Sequence, residues 1–187
     1  PTEYLKSIKK FGFEDYLFDG WRYHDDGRLG VKKEDREINE DFILNKAPFN
    51  ESKILLARDN FGCGSSREHA VWALRDFGIK AVIASSFGDI FYNNCFKNGV
   101  LPIQLTKDQI EELFQRIKDK IIELSVDLQK RIITIDDKEV NFDVEDHLID
   151  RIIYGLDDVD ITLKSKDKIF NFENNRKEIR PWIFINE

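Results

Sequence analysis

Cysteine is scarce in this sequence, and its scarcity excludes several classes of protein. Cys63 and Cys95 are the only two in 187 residues, and they lie far apart without a CxxC pair. A disulfide framework, a self-contained zinc site and an iron–sulfur cluster held by this chain alone are therefore excluded. Two thiols of this kind favour a reducing compartment, so we expect a cytoplasmic protein.

Long apolar runs and methionine are missing as well. No segment approaches the roughly 18–20 apolar residues that a membrane span requires, and the N-terminus lacks the pattern of a signal peptide. We therefore expect no membrane association. The sequence begins at Pro1 and contains no Met, so we also expect it to be truncated at its N-terminus.

Positive charge is in deficit. Lys and Arg number 29 against 36 Asp and Glu, which gives a net charge of −7 and a pI of about 5.1. The basic residues alternate with acidic ones, as in residues 32–37 (KKEDRE), which is typical of a solvated surface. Nucleic acid is therefore excluded as a partner, and an anionic substrate needs a local positive site.

The composition is sufficient for one packed domain. The sequence is 41% hydrophobic and 12% aromatic, and its length fits a single core. Residues 11–49 are rich in aromatics but have no periodicity, which predicts long ordered loops; the alternative is a disordered insert over residues 25–40. Loops of this length are often functional or interfacial.

From residue 53 onward, strand and helix patterns alternate, which predicts a parallel or mixed sheet covered by helices. We predict strands over 54–57, 81–84 and 100–103, a helix over 66–77 opened by a Ser65–Glu68 capping box and stopped by Gly78, and a second helix capped by Ser85 or Ser86 and ending near Asn98. Further along, a Thr106–Gln109 capping box predicts a helix that ends near Lys120. We then predict strands over 124–128, 131–135 and 139–144. Three more helices follow: one over 145–154 that ends at Gly155, one capped by Asp157, and a surface helix around 171–180.

One segment carries the chemistry, residues 60–70 (NFGCGSSREHA). It is a loop made flexible by its glycines, and it leads from a buried strand to a helix N-terminus. Free N–H groups and the helix dipole favour the binding of an anion there. Arg67 adds a planar donor fork that suits a carboxylate, and Ser65 and Ser66 place two hydroxyls beside it. These residues fit a small di- or tricarboxylate; an ordinary strand-to-helix turn is the alternative.

Residues 56–70 (LARDNFGCGSSREHA) resemble the signature of the small subunits of 3-isopropylmalate dehydratase (isopropylmalate isomerase), which are similar to the swivelling domain of aconitase. Further segments resemble the family in the same order: 17–23 (LFDGWRY), 41–45 (DFILN), 72–74 (WAL), 86–95 (SFGDIFYNNC), 98–102 (NGVLP), 155–157 (GLD) and 161–163 (ITL). The resemblance covers most of the chain, is most specific over 55–102, and is weak over 106–150.

The resemblance implies a fold and a domain organisation. Residues 1–187 would form one α/β swivelling domain, with a barrel-like β core flanked by helices and a helical extension from about residue 157. The family opens with a strand and an Asp-Thr-Asp segment that ends in Ile-Ile-Pro. Because this sequence starts at what resembles that proline, we expect the N-terminal strand to be lacking.

The resemblance also implies an activity and a partner. The family's enzyme is a hydro-lyase that interconverts 2-isopropylmalate and 3-isopropylmalate through isopropylmaleate in leucine biosynthesis. This chain would bind no cofactor and no metal, since a [4Fe–4S] cluster on the large subunit would act as the Lewis acid. The chain would form a heterodimer with that large subunit and would take a small dicarboxylate substrate.

By its place in the motif, Ser65 matches the family's proposed base, whose alkoxide the helix N-terminus and nearby cations would stabilise. The motif assigns substrate-carboxylate contacts to Ser66, Arg67 and Gly64, with Arg58 near enough to help. Four residues would support the loop: Gly62, Cys63, Glu68 and His69. We expect Cys63 to pack under the helix, and His69, one turn after Ser65, to orient the loop.

Other functions remain as alternatives. A related hydro-lyase subunit, of homoaconitase or of a methylmalate or citraconate hydratase, would share the loop. The apolar content of residues 4–18, where the family places the substrate's γ-substituent, favours an isopropyl group over a third carboxylate. A non-catalytic partner subunit is disfavoured because Ser65, Ser66 and Arg67 occur together. A phosphate-binding loop is excluded because a third glycine and a Walker lysine are missing.

Overall fold

The computed structural model describes residues 2–7, 10–64, 66–119 and 122–184. Residues 2–7 and 10–51 form loops in which the described part contains one short helix, α1 (Asp19–Arg22), and five 3-10 turns (Thr2–Lys6, Glu14–Tyr16, Lys33–Asp35, Ile43–Asn45 and Phe49–Glu51). An isolated antiparallel bridge joins Tyr23 to Ile38. Residues 25–40 are therefore an ordered part of the fold, as the aromatic pattern predicts.

A three-stranded parallel sheet forms the centre. Its strands are β1 (Ile54–Leu56), β2 (Ala81–Ala84) and β3 (Leu101–Gln104), in the order β1-β2-β3. The connecting helices are α2 (His69–Phe77) and α3 (Asp89–Lys97). All three strands occur where the apolar runs predict them, because short apolar runs bounded by loops are typical of buried parallel strands.

The second half adds an antiparallel sheet and more helices. After α4 (Lys107–Asp119) come β4 (Leu124–Asp127), β5 (Ile132–Ile135) and β6 (Lys138–Asn141), which pair as a meander. The chain ends in α5 (Asp146–Tyr154), α6 (Asp158–Leu163), α7 (Lys166–Ile179) and a 3-10 turn (Pro181–Phe184). Neither α6 nor α7 contains a buried residue.

Two apolar clusters lie on opposite faces of the parallel sheet, because successive strand side chains alternate in direction. Ile83 of β2 belongs to the cluster that includes Ile133 and Ile135 of the antiparallel sheet. Its neighbour Val82 belongs to the other cluster, with Leu74 of α2 and residues of α3 and the N-terminal segment. The parallel sheet is thus covered on both faces.

The α/β class is confirmed, but the strands do not close into a barrel. In the part of the chain that the structure describes, they form two separate three-stranded sheets, one parallel and one antiparallel. The sheets meet through side chains of one apolar cluster rather than through backbone pairing. The predicted barrel-like core is therefore a layered arrangement.

Two predicted helix starts are wrong. Helix α2 begins at His69 with Glu68 as its N-cap residue and no side-chain cap, rather than at Ser66; Ser65, the predicted capping residue, lies outside the described residues. Helix α3 begins after Gly88, and neither Ser85 nor Ser86 caps it because both hydroxyls bind the loop that follows β1.

Other predicted helix boundaries are confirmed. The N–H of Gln109 donates to Thr106 Oγ1 (3.3 Å), and the Gln109 side chain accepts from the N–H of Thr106 (2.9 Å). Asp157 and Asp160 form a second reciprocal capping box, at the start of α6. The predicted stops at Gly78 and Gly155 follow α2 and α5. No helix within the described ranges is both long and apolar enough to cross a membrane.

Candidate active site

The loop that follows β1 is held against the loop that follows β2. The N–H of Phe61 donates to the Ser86 carbonyl (3.0 Å), and the N–H of Gly88 donates to the Phe61 carbonyl (2.9 Å). The N–H of Asn60 donates to Ser86 Oγ (2.8 Å). Because β1 and β2 are parallel neighbours, both loops leave the same edge of the sheet, where open α/β sheets bind ligands.

Two glycines allow this close approach. Gly62 has a φ of +76°, and a Cβ built on it would lie 2.2 Å from the Phe91 ring of α3. A Cβ on Gly88 would lie 2.8 Å from Cys63 Cα. A larger residue at either position would push the loop away from α3, so these glycines fix the path of residues 61–64.

Gly62→Ala is therefore expected to destabilise the protein by about 2–5 kcal/mol, from the left-handed backbone and the contact with Phe91 together. Urea denaturation of the isolated chain measures this. Gly64→Ala is the matched control, since no atom lies within 4 Å of a Cβ there and its φ is not positive; we expect a change below about 1 kcal/mol. Equal losses in the two variants would contradict the argument.

The loop delivers the chain to the N-terminus of α2. Gly64, Ser66 and Arg67 are exposed there. The N-cap residue is Glu68, and no side chain among the described residues caps the helix. The first N–H groups of a helix can bind an anion. The structure thus places Ser66 and Arg67 directly before a helix end of the kind that binds anions.

A cavity of about 520 Å³ lies beside this loop. Its volume is within the range of small-molecule sites, about 300–1,000 Å³. The lining comes from the loop, from α2 and α3, and from the N-terminal segment, and it is mostly apolar: Tyr4, Leu5, Phe13, Tyr16, Leu17, Phe18, Asp19, Gly20, Trp21, Phe61, Gly62, Gly64, His69, Ala70, Ala73, Leu74 and Phe91. The helix end and the apolar cavity together can hold a carboxylate next to an alkyl group.

His69 opens α2 and forms part of the cavity wall. Its ring lies 5.3 Å from the Phe13 ring at a steep angle and 4.6 Å from the Trp72 ring. Both ring nitrogens are buried and have no hydrogen-bond partner among the described residues. An unpaired buried polar group is uncommon and is typical of functional places; the predicted role of His69 in orienting the loop stays a prediction.

Glu68 has a structural partner on the neighbouring helix. Its carboxylate accepts from Asn98 Nδ2 (3.4 Å), and Asn98 Oδ1 accepts from Trp72 Nε1 (2.8 Å). These contacts join the start of α2 to the end of α3. Glu68 therefore links the two helices that flank the loop, and its predicted support of the loop stays a prediction.

Arg58 lies apart from the cavity lining. Its guanidinium pairs with Glu111 of α4 (3.1 Å) and lies 3.9 Å from the Phe114 ring centroid. In this structure Arg58 links the loop that follows β1 to α4. The contact with substrate predicted for Arg58 stays a prediction.

Cys63 is exposed, so the expectation that its side chain packs under the helix is wrong. The backbone of Cys63, not its thiol, makes the close contact with Gly88. Cys95 is fully buried, and burial raises the pKa of its thiol. Within the described residues, no group of three or more His, Cys, Asp or Glu side chains is placed to hold a metal ion.

Sequence reasoning missed several residues of the site. Asp19, Trp21 and Phe91 line the cavity, and Gly88 seats the loop, yet none was assigned a binding role. Gly88, inside a segment that resembles the family (SFGDIFYNNC), carried a usable signal. Asp19 and Trp21 lie in a second such segment (LFDGWRY), but its position beside the loop depends on how the N-terminal segment folds, which the sequence pattern does not show.

Comparisons with known proteins show the family to which the chain belongs. Residues 1–108 match the family described as the aconitase C-terminal domain, which defines the class of the domain. The small subunit of 3-isopropylmalate dehydratase from Neisseria meningitidis serogroup C (strain 053442) is 47% identical over 186 residues, covering 98% of this chain and 87% of that relative. The small subunit from Hahella chejuensis (strain KCTC 2396) is 46% identical over 187 residues, covering 99% and 87%.

The chain belongs to the family of 3-isopropylmalate dehydratase small subunits. A solved structure, 3-isopropylmalate dehydratase from Methanocaldococcus jannaschii DSM2661, is 29% identical with a TM-score of 0.56, covering 91% of this chain and 86% of that chain. The resemblance carried by residues 56–70 is thereby confirmed, and the chain is a hydro-lyase subunit of the aconitase type.

Proposed function

We propose that this chain is the half of an isopropylmalate isomerase that holds the substrate's carboxylates and its isopropyl group. The reaction interconverts 2-isopropylmalate and 3-isopropylmalate by loss and return of water through isopropylmaleate, in leucine biosynthesis. The observation that carries this proposal is the apolar cavity lying directly beside the anion-binding end of α2. With two free cysteines, the reducing cytoplasm is the compartment that fits.

We assign the contacts with the substrate's carboxylates to the end of the loop and the first turn of α2. Arg67 offers a two-pronged donor, the N–H groups of His69 and Ala70 lie in the first turn of α2, and the Ser66 hydroxyl is adjacent. The net charge of the chain is −7, so this local set of donors has to overcome a field that repels dicarboxylates.

We assign the proton transfer of the reaction to Ser65. As the base, it would take the proton from the carbon beside a substrate carboxylate while the helix end stabilises its alkoxide. A [4Fe–4S] cluster carried by the large subunit would supply the Lewis acid for the leaving hydroxyl. Neither cysteine of this chain serves it, since Cys95 is fully buried and a lone Cys63 is too few ligands for a cluster.

Arg67→Lys in the assembled enzyme is expected to raise the KM for isopropylmalate by about 10- to 100-fold with a smaller effect on kcat, because a point charge cannot reproduce a two-pronged contact. Steady-state kinetics measures the two constants separately. Arg28→Lys, at an exposed arginine of the loop region, is the control and should leave both unchanged. An unchanged KM in Arg67→Lys would remove Arg67 from the binding site.

The related hydro-lyases are distinguished by the cavity. A third carboxylate, as in homocitrate-type substrates, would have to lie among Phe13, Leu17, Leu74 and Phe91, which offer it no charged partner. Burying an unpaired carboxylate there is costly. The lining therefore supports an alkyl substituent.

A substrate panel tests the proposal. The chain is reconstituted with a cluster-loaded isopropylmalate isomerase large subunit and assayed on 2-isopropylmalate, citraconate, homocitrate and citrate. We expect kcat/KM to be highest for 2-isopropylmalate. A preference for homocitrate or citrate would contradict the proposal and favour a homoaconitase-type subunit, and a preference for citraconate would favour the methylmalate-type enzyme.

A further inference from the structure

A buried polar network lies behind one wall of the cavity. The Tyr4 hydroxyl donates to Asp19 Oδ1 (2.9 Å), and Arg36 Nη1 donates to the same oxygen (2.8 Å). Arg36 Nε donates to Asp25 Oδ2 (2.6 Å), and Nη2 donates to the Asp25 carbonyl (3.1 Å). The side chains of Arg36 and Asp19 are 4% and 3% exposed, so a cation and a carboxylate are held together away from solvent.

Arg36 binds Asp19 and Asp25 at the same time. Its guanidinium also lies 4.0 Å from the Tyr23 ring centroid. Burial by itself would lower the pKa of Arg36, but the hydrogen bonds to Asp19 and Asp25 raise it above its ordinary value. The planar guanidinium of Arg36 uses three separate nitrogens for these bonds, a geometry that the single nitrogen of a lysine does not reproduce.

The network fixes the position of Tyr4 in the cavity wall. Tyr4 and Asp19 both line the cavity, and the Tyr4 ring stacks on Tyr16 at 3.9 Å. A Cβ on Gly27 would lie 1.7 Å from the Tyr4 hydroxyl oxygen. The backbone of Gly27 therefore lies close to this hydroxyl and prevents the ring from moving away from the cavity. Burial and the hydrogen bond to Asp19 raise the pKa of Tyr4, which keeps the hydroxyl protonated and donating.

Asp19 places a carboxylate beside a cavity that has to admit an anion. We propose that Arg36, which does not line the cavity, is a positioning residue that neutralises Asp19 and holds the Tyr4 wall, so that a dicarboxylate can bind. The inference rests on the proposed function only in requiring an anionic substrate. The segment of residues 25–36 thereby affects substrate binding, although Arg36 does not line the cavity.

Arg36→Met tests the charge directly in the assembled enzyme. We expect the KM for 2-isopropylmalate to rise about tenfold, the effect of two unit charges roughly 10 Å apart at an effective dielectric constant of about 20, with kcat little changed. Arg36→Met/Asp19→Asn removes both charges and should restore most of the affinity. Lys33→Met is the matched control: it removes a cation from the same segment, where Lys33 is 52% exposed and 3.9 Å from Asp15, and should leave KM unchanged.

The outcomes separate this inference from the proposed function. A wild-type KM in Arg36→Met, or a loss that Asp19→Asn does not reverse, overturns the role of Arg36 even if the enzyme acts on isopropylmalate. If Arg36→Met does not fold, the double variant is compared with Asp19→Asn, which keeps the Arg36 charge and leaves no unpaired carboxylate at position 19; equal KM values overturn the inference. If the wild-type complex is inactive on isopropylmalate, the proposed function fails, and the same variants are compared by the Kd of isopropylmaleate, read from the fluorescence of Trp21 in the cavity wall.

Discussion

A Ser65→Ala chain assembled with its large subunit is expected to lose turnover while keeping its fold. A general base contributes about 10²–10⁴-fold to a rate, and no other hydroxyl of the loop occupies the family's base position. The loss of a helix cap would cost only about 1 kcal/mol, so removing one hydroxyl leaves the fold intact. We therefore expect kcat to fall by about 10²-fold or more, with thermal unfolding little changed.

The measurement is kcat for isopropylmalate in wild-type and Ser65→Ala complexes that have equal cluster content. Ser125→Ala is the control, because Ser125 is exposed on β4 of the antiparallel sheet and should leave kcat unaffected. A Ser65→Ala enzyme with near-normal kcat would show that another group takes the proton.

The chain without its large subunit is expected to be catalytically silent. Hydroxide is a poor leaving group, and a Lewis acid is the usual means of activating it. The described residues offer no group of metal-binding side chains, and the sequence contributes only two cysteines. In the proposed function the helix end and the apolar cavity bind the substrate, so we expect the chain by itself to hold the substrate without completing the elimination.

Titration tests this second expectation. The purified chain is incubated with 2-isopropylmalate, the absorbance of isopropylmaleate is followed, and cluster-loaded large subunit is then added in steps. We expect no signal before the addition and a rate that saturates near one large subunit per chain. Turnover before the addition, or failure of the two chains to associate, would contradict the two-chain account.

The order of elements was predictable because its signals are local. The apolar runs at β1, β2 and β3 and the capping box at Thr106 lie within a few residues of the structure they specify. The start of α3 was not predictable in the same way. Ser85 and Ser86 match the pattern of helix caps, but in the folded chain their hydroxyls serve Asp59 and Asn60, more than twenty residues earlier.

The site was predictable to the same extent. The loop residues Ser66 and Arg67 do precede a helix end, because the loop and the helix are neighbours in sequence. The partners of Arg58 come from α4, and the Arg36 network joins Tyr4, helix α1 and the segment of residues 25–36. Contacts of this kind depend on how distant segments pack, and no local pattern in the sequence marks them.

The position of the bound substrate tests the central claim most directly. A crystal structure of the Ser65→Ala complex with 2-isopropylmalate would show it, since the variant binds substrate but does not turn it over. We predict one carboxylate at about 3 Å from Arg67 and from the first N–H groups of α2, with the isopropyl group in the cavity between Phe13 and Phe91. A substrate whose carboxylates lie away from α2, or a cavity filled by side chains of the large subunit, would contradict the account.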